Sequence, residues 1–169
     1  MATKVTYANL LSESRNNVVD IISANVSDPI SSASEYRKWI YSRMPDVKDA
    51  AFKGYPLIIV EPSGIDIESE DSSGDGKHKF VSWTINIEVR TSDRGYGSAD
   101  GQGLIQIDTI SDSIMQQFLS MTHRNTLGAN SMKFSAPTTE PVLTITEQNE
   151  LIYRRIIGLR FRNLIPISA

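Results

Sequence analysis

The spacing of apolar residues changes period along the chain, and each change predicts an element. From Lys79 to Thr91 the pattern alternates without a break. Val81, Trp83, Ile85, Ile87 and Val89 fall on one side, and Ser82, Thr84, Asn86, Glu88 and Arg90 on the other. A period of two predicts a β-strand with one buried and one polar face. It is also far longer than the usual strand of about 5–6 residues. Tyr7, Leu10, Leu11, Val18, Ile21 and Ile22 instead recur at helical spacing, which predicts a helix over Tyr7–Ser23 ending near Ala24-Asn25. Asp28-Pro29 forbids much continuation. Ile107, Ile110, Ile114, Phe118 and Met121 predict a second helix over Leu104–Met121. Ser32 and Glu35 fit a capping box for a short helix from Ala33 to about Arg43, which Pro45 stops.

The remaining segments read as strands and loops. Tyr55–Glu61 predicts a short strand, Pro62-Ser63-Gly64 a turn, and Ile65 and Ile67 the start of another strand. Met132–Ser135 is a weak strand, Val142–Thr146 a better one, and Leu151–Leu164 a second long one. Glu147–Glu150 joins the last two as a four-residue hairpin. Glu68–Gly76 and Ser92–Gly103, rich in Gly and Ser, read as mobile loops. The order α, short α, β, β, β, α, β, β predicts one α+β domain over residues 1–169. Its expected form is an antiparallel-rich twisted sheet with two main helices on one face and long projecting strands.

Element lengths sharpen this expectation. Helices of this size run roughly 25 Å at 1.5 Å per residue. The long strands run roughly 43–46 Å at 3.3 Å per residue. The helices therefore shelter only about half of such a sheet, while apolar positions continue almost to both strand ends. Uncovered apolar edges invite aggregation unless blocked or paired. A closed homo-oligomer with heterologous contacts supplies the missing cover, and a monomer in solution would argue against it.

Composition adds mainly exclusions. The 169 residues are 40% hydrophobic and 22% charged, with a net charge of −3, which fits a globular domain and argues against general affinity for nucleic acid. The chain has no cysteine, which removes disulfides and thiolate metal sites. Met-Ala-Thr-Lys-Val-Thr-Tyr lacks an apolar signal core, and no run reaches the roughly 18 apolar residues of a membrane span. A soluble protein made without an export signal is expected.

Catalytic chemistry finds little support. His78 and His123 lack a carboxylate partner at a recognisable spacing and read as surface residues. Ser63 is not in a Gly-x-Ser-x-Gly elbow, and no phosphate-cradling motif occurs. Asp71-Ser72-Ser73-Gly74-Asp75-Gly76 echoes the opening of a calcium loop, but Ser82 stands where the closing glutamate belongs. Asp46 with Glu88 and Arg90 faintly matches a metal-dependent nuclease, whose acids must converge on Mg²⁺. No catalytic residue, metal ligand or cofactor is assigned. Arg154, Arg160 and Arg162 share one face of the last strand, with Ile156 and Gly158; Arg155 intrudes among the apolar residues of the other. Two readings of these arginines stand open. One is a solvated outer face paired across strands with acids such as Glu88. The other is a charged contact surface for a neighbouring subunit, formed by Glu88, Arg90, Arg154, Arg155, Arg160 and Arg162.

Taken together, Tyr7–Ser23, Tyr55–Glu61, Lys79–Thr91, Leu104–Met121 and Val142–Leu164 resemble, in order and size, the tail-terminator (tail-completion) proteins of long-tailed bacteriophages. No diagnostic motif carries the resemblance, and Ser31–Met44 is longer than the family pattern suggests. The resemblance implies a structural virion protein, not an enzyme, made in the host cytoplasm. Its copies would form a homo-hexameric ring that caps the tail tube, ends tail growth and meets the head-completion or connector protein. DNA would pass through the lumen without specific binding, and like charge on Glu68, Glu70, Asp71 and Asp75 would keep it from sticking. The same acidic loop could instead face a partner, and the Ser92–Gly103 loop could order on docking. Three alternatives remain: another head–tail joining protein of the neck, a small metal-dependent nuclease or other enzyme, and a binding module for a peptide or protein that uses a strand edge.

Overall fold

The computed structural model describes residues 9–30, 37–46, 48, 52, 54–67, 78–93, 102–119, 133–134, 137–147 and 150–166. The elements, in order, are α1 (Leu10–Asn25), β1 (Ile40–Tyr41), β2 (Leu57–Ile67), β3 (His78–Ser92), α2 (Gln102–Leu119), β4 (Lys133–Phe134), β5 (Thr138–Thr139), β6 (Leu143–Glu147) and β7 (Glu150–Pro166). The strands form one mixed, mostly antiparallel sheet in the order β1-β2-β3-β7-β4, with β5 and β6 also on β7. Among the described residues, only β1 with β2 is parallel. This is an α+β fold.

The alternating segment forms the centre of the sheet. β3 and β7 pair from His78 with Pro166 to Ser92 with Ile152 without a register shift. Odd-numbered residues of both strands face the helices: Val81, Trp83, Ile85, Ile87 and Val89 from β3, and Ile157, Leu159 and Phe161 from β7, all buried. α1 packs on β2 and β3, α2 packs on β3 and β7, and the helices touch each other. α1 contributes Leu10, Val18 and Ile22; α2 contributes Ile107, Ile110, Ile114 and Phe118. Trp83 stacks on its cross-strand partner Phe161, with ring centroids 5.5 Å apart. Its indole N–H donates to the fully buried Ser14 hydroxyl at 2.9 Å, so the one polar atom of the ring is satisfied inside the core.

Two anchors fix the helices to the sheet. Asp93, just past β3, accepts from the Gly103 N–H at 3.1 Å and from the Tyr153 hydroxyl at 2.8 Å. A carboxylate at the start of α2 meets backbone donors that lack helical partners. Gly103 has to be glycine here: an added Cβ would lie 2.8 Å from the Ser92 backbone and 2.9 Å from the Tyr153 ring. The second anchor follows α1. Arg37 grips Asp28 with two hydrogen bonds of 2.6 and 2.9 Å and donates to the carbonyls of Gly54 and Pro56 at 3.0 and 2.7 Å. Both side chains are nearly out of solvent, so this clamp joins the α1–β1 connection to the entry of β2.

Several local expectations change. The short helix through Arg43 is not formed in its described part. Trp39 is buried in the main core, and Ile40 and Tyr41 pair with Ile58 and Ile59 as β1. Sheet pairing and burial of Trp39 outweigh a capping signal; its Ser32 and Glu35 lie outside the described residues. Pro62-Ser63-Gly64 is not a turn. Pro62 pairs with Ile85 and Gly64 with Thr84, so Ser63 is the extra residue of a β-bulge inside one long β2. Glu147 pairs directly with Glu150, which shortens the hairpin connection to two residues. The edge beside β7 also gains β5, which the pattern did not predict. Phe134 pairs with Phe161, Thr138 with Gly158, Thr139 with Ile157 and Leu143 with Arg154. Between β4 and β5, and again between β5 and β6, the edge advances one residue more than β7. It is thus broken into three short pieces, a device that protects sheet edges.

The helices cover more of the sheet than their lengths suggested. Side by side they bury β3 from Val81 to Val89. At one end of the sheet the last residues of β2 are exposed. Ile65 and Ile67 pair with Trp83 and Val81, so they continue the core face, yet each is 41% exposed.

Candidate functional site

The face of the sheet away from the helices holds most of the charged candidates, and it divides into three zones. At the end where β7 begins, Tyr55, Leu57, Ile59 and Ile152 form a second small apolar cluster, flanked by Tyr41, Met44, Phe52 and Ile145. Phe52 meets Tyr55 edge to face, 5.6 Å between centroids. An ionic chain lies beside this cluster. The polar alternation of β3 places Glu88 and Arg90 on this face, and register brings them beside Arg154 of β7. Glu88 accepts from Arg90 Nε at 2.5 Å and from Arg154 Nη2 at 3.0 Å. Arg90 also reaches Glu147 of β6 at 3.1 Å, and Glu147 accepts from the Tyr55 hydroxyl at 3.2 Å. Nearby, the Ser92 hydroxyl is bonded to Glu150. Beyond Gly158 lies the third zone, where Arg160 and Arg162 are exposed and Arg162 lies over the Phe80 ring at 4.5 Å.

The electrostatics follow from this geometry. Burial raises the Glu88 pKa, but hydrogen bonds and charge from Arg154 and Arg90 outweigh it and hold the carboxyl below its ordinary value. Burial likewise works against the Arg90 cation, and Glu88 more than restores it. The Tyr55 phenol is pushed up to about 12, first by burial and then by the Glu147 carboxylate. All three shifts favour the charge state drawn here: an ionised Glu88, a cationic Arg90 and a neutral Tyr55 that donates.

The sequence candidates therefore separate. Glu88, Arg90 and Arg154 come together, and they are joined by Glu147 and Tyr55, which sequence reasoning missed. Glu147 could have been found by continuing the alternation of β6 across the hairpin; Tyr55 has no such signal, because it precedes β2. Arg155 stands on the opposite face, where Nη2 meets Asp108 of α2 at 2.7 Å. Its intrusion among apolar positions is explained by that partner and by its place at the helix rim. Glu68, Glu70, Asp71 and Asp75 lie outside the described residues, as do His123 and most of the Ser92–Gly103 loop.

The arrangement is suited to holding strands in place. Both Glu88 oxygens are engaged by guanidinium groups, and Asp46 accepts from the Lys48 backbone N–H at 2.9 Å. Among the described residues no three potential His, Cys, Asp or Glu ligands converge on one point. No helix among them is long and apolar enough to cross a membrane. A groove of about 670 Å³ lies on the helix side, between α2 and the broken edge, and is lined by Ser111, Met115, Glu140 and Arg155 among others. The chain matches no family model and no curated protein sequence.

Proposed function

We propose that this chain is a ring-forming structural subunit of a bacteriophage tail, of the tail-terminator kind. Its ring caps the finished tube, stops its growth and offers a surface to the head-completion or connector protein. The observation that carries this reading is the continuation of the core face past its helical cover at Ile65 and Ile67. A row of apolar residues at an open sheet end favours association over a lone subunit. The ionic chain through Glu88 supports it differently: it ties together the strands at the end where β7 begins and leaves the opposite end for contact. DNA passes through the lumen without specific binding.

Light scattering and negative-stain imaging of the purified protein test the reading. Rings of about the width of a tail tube, with six copies, are expected. A monomer at micromolar concentration overturns it. Particles that accumulate overlong tails when the protein is withheld distinguish a terminator from another neck protein, whose loss leaves tails of normal length unjoined to heads.

A further inference from the structure

The strand register at the open end of the sheet says how two copies would meet. The inference rests on the assembly reading above and names its contact. One row across the sheet runs Asp66, Ser82, Arg162, Lys133, from β2 through β3 and β7 to β4. The next row runs Ile65, Trp83, Phe161, Phe134. The first row therefore begins with an acid and ends with cations, and the second is apolar throughout. Glu61, which pairs with Asn86, adds a second exposed acid to the β2 side of the outer face; Arg160, which pairs with Thr84, adds a second exposed cation to the β7 side.

Both ends of these rows are edges. Among the described residues, β1 pairs with β2 only at Ile58 and Ile59, so the outer edge of β2 has no strand beside Gly64–Ile67. Pro62 and the Ser63 bulge blunt the edge next to β1, and the four residues beyond them are regular. β4 is the outermost strand on the other side.

Strand polarity makes the edges compatible. β2 is antiparallel to β3, β3 to β7 and β7 to β4. A second copy placed alongside in the same orientation therefore brings its β2 antiparallel to β4 of the first. Continuing the rows sets Asp66 of one copy level with Lys133 of the next, and Ile65 level with Phe134. The same antiparallel register satisfies both rows. The reverse arrangement, β2 against β2, sets acids against acids.

We propose that the β2 edge at Gly64–Ile67 pairs antiparallel with β4 of a second copy, head to tail, so that one sheet continues into the next. Such a contact is heterologous, and repetition with a rotation closes a ring. Neighbouring strands stand about 4.8 Å apart, so Arg162, one strand behind Lys133, lies about 10 Å from the next copy's Asp66, within reach of a long guanidinium side chain and about one Debye length.

Reciprocal charge reversal tests this. One full-length variant carries Asp66→Lys; the other carries Lys133→Glu and Arg162→Glu, the cations of the same row. Thermal unfolding of each variant checks that it folds. Each alone should assemble at about tenfold higher concentration than the parent, because residue 66 then faces like charge across the junction. An equimolar mixture should assemble near the parental concentration, because every junction is again between unlike charges. Hydrogen exchange on the unmodified protein gives an independent readout: outward amides of Gly64–Ile67 should exchange more slowly in the assembly than in the dilute monomer. If the parent assembles but the single variants do so equally well, or the mixture is not restored, or Gly64–Ile67 gains no protection, this contact is wrong while the ring reading stands. If the parent does not assemble, both fall.

Discussion

On its helix side β3 buries Val81, Trp83, Ile85, Ile87 and Val89 against two helices; on its other side the same strand carries Glu88 and Arg90 in a chain of ion pairs. Side chains of one strand alternate between two environments about one residue apart, and the two are held by different forces. The helix face gains from area removed from water, which needs close packing but little direction. The outer face gains from matched charge, and each partner there is useful only while the others are present. Glu88 is nearly as buried as its apolar neighbours, at 6% exposure. It tolerates that burial because two arginines supply what water would have supplied.

The largest expected effect is on the helix face. Trp83→Ala removes the stacked ring from beside Phe161 and should cost about 3–5 kcal/mol, read by chemical unfolding. If the loss were below that of Glu88→Gln, the ranking of the two faces would be reversed. Glu88→Gln keeps the shape but leaves Arg90 and Arg154 without a carboxylate. A fully buried broken pair costs more, but Arg154 is 31% exposed, so about 2–3 kcal/mol is expected. This variant should also change the acid limb. The Glu88 pKa is lowered in the folded state, so its contribution is complete above the ordinary carboxylate pKa and is lost as pH falls through the folded value. Glu88→Gln should therefore flatten part of the acid decline in stability, whereas Trp83→Ala should shift the whole curve without changing that slope.

Ser14→Ala should cost about 1–2 kcal/mol, since it strands the Trp83 N–H inside an apolar core. Thermal unfolding reads it, and a double variant with Trp83→Phe, which has no N–H to strand, should show little further loss from Ser14→Ala. Tyr55→Phe is the mildest, about 1 kcal/mol at neutral pH. Its signature lies in alkali. The Tyr55 phenol rises from 10.0 to about 12, so the folded state retains a proton that the unfolded chain gives up. The parent should lose stability across that interval as pH rises, and Tyr55→Phe should lack that component of the decline.

Some of these contrasts were legible from residue order and some were not. The alternation of Lys79–Thr91 placed Val81 to Arg90 of β3 on their faces, because a pleated strand has a period of two whatever surrounds it. Helical spacing similarly located the cores of α1 and α2. The capping signal before Arg43 misled because it is worth little against burial of Trp39 and pairing with β2. Pro62-Ser63-Gly64 misled for a related reason: turn residues also make bulges, and only a partner strand tells the two apart. Among the candidate residues, the face of Glu88, Arg90 and Arg154 was readable, but their partners were not. Asp108 meets Arg155, and Glu147 meets Arg90, through contacts between elements distant in the chain.

The sequence by itself determined α1, α2 and the two long strands, which side of each is apolar, and that those strands would dominate the sheet. These are local consequences of periodicity and need no knowledge of neighbours. Tertiary structure alone decided register, and with it the rest. Register set Trp83 on Phe161, joined Glu88 to Arg154, gave Arg155 a helix partner, and aligned Asp66 with Arg162 across the open end of the sheet. A strand carries its pattern in its own residues, but what stands opposite each residue depends on another segment, and a slip of one position would exchange the two faces.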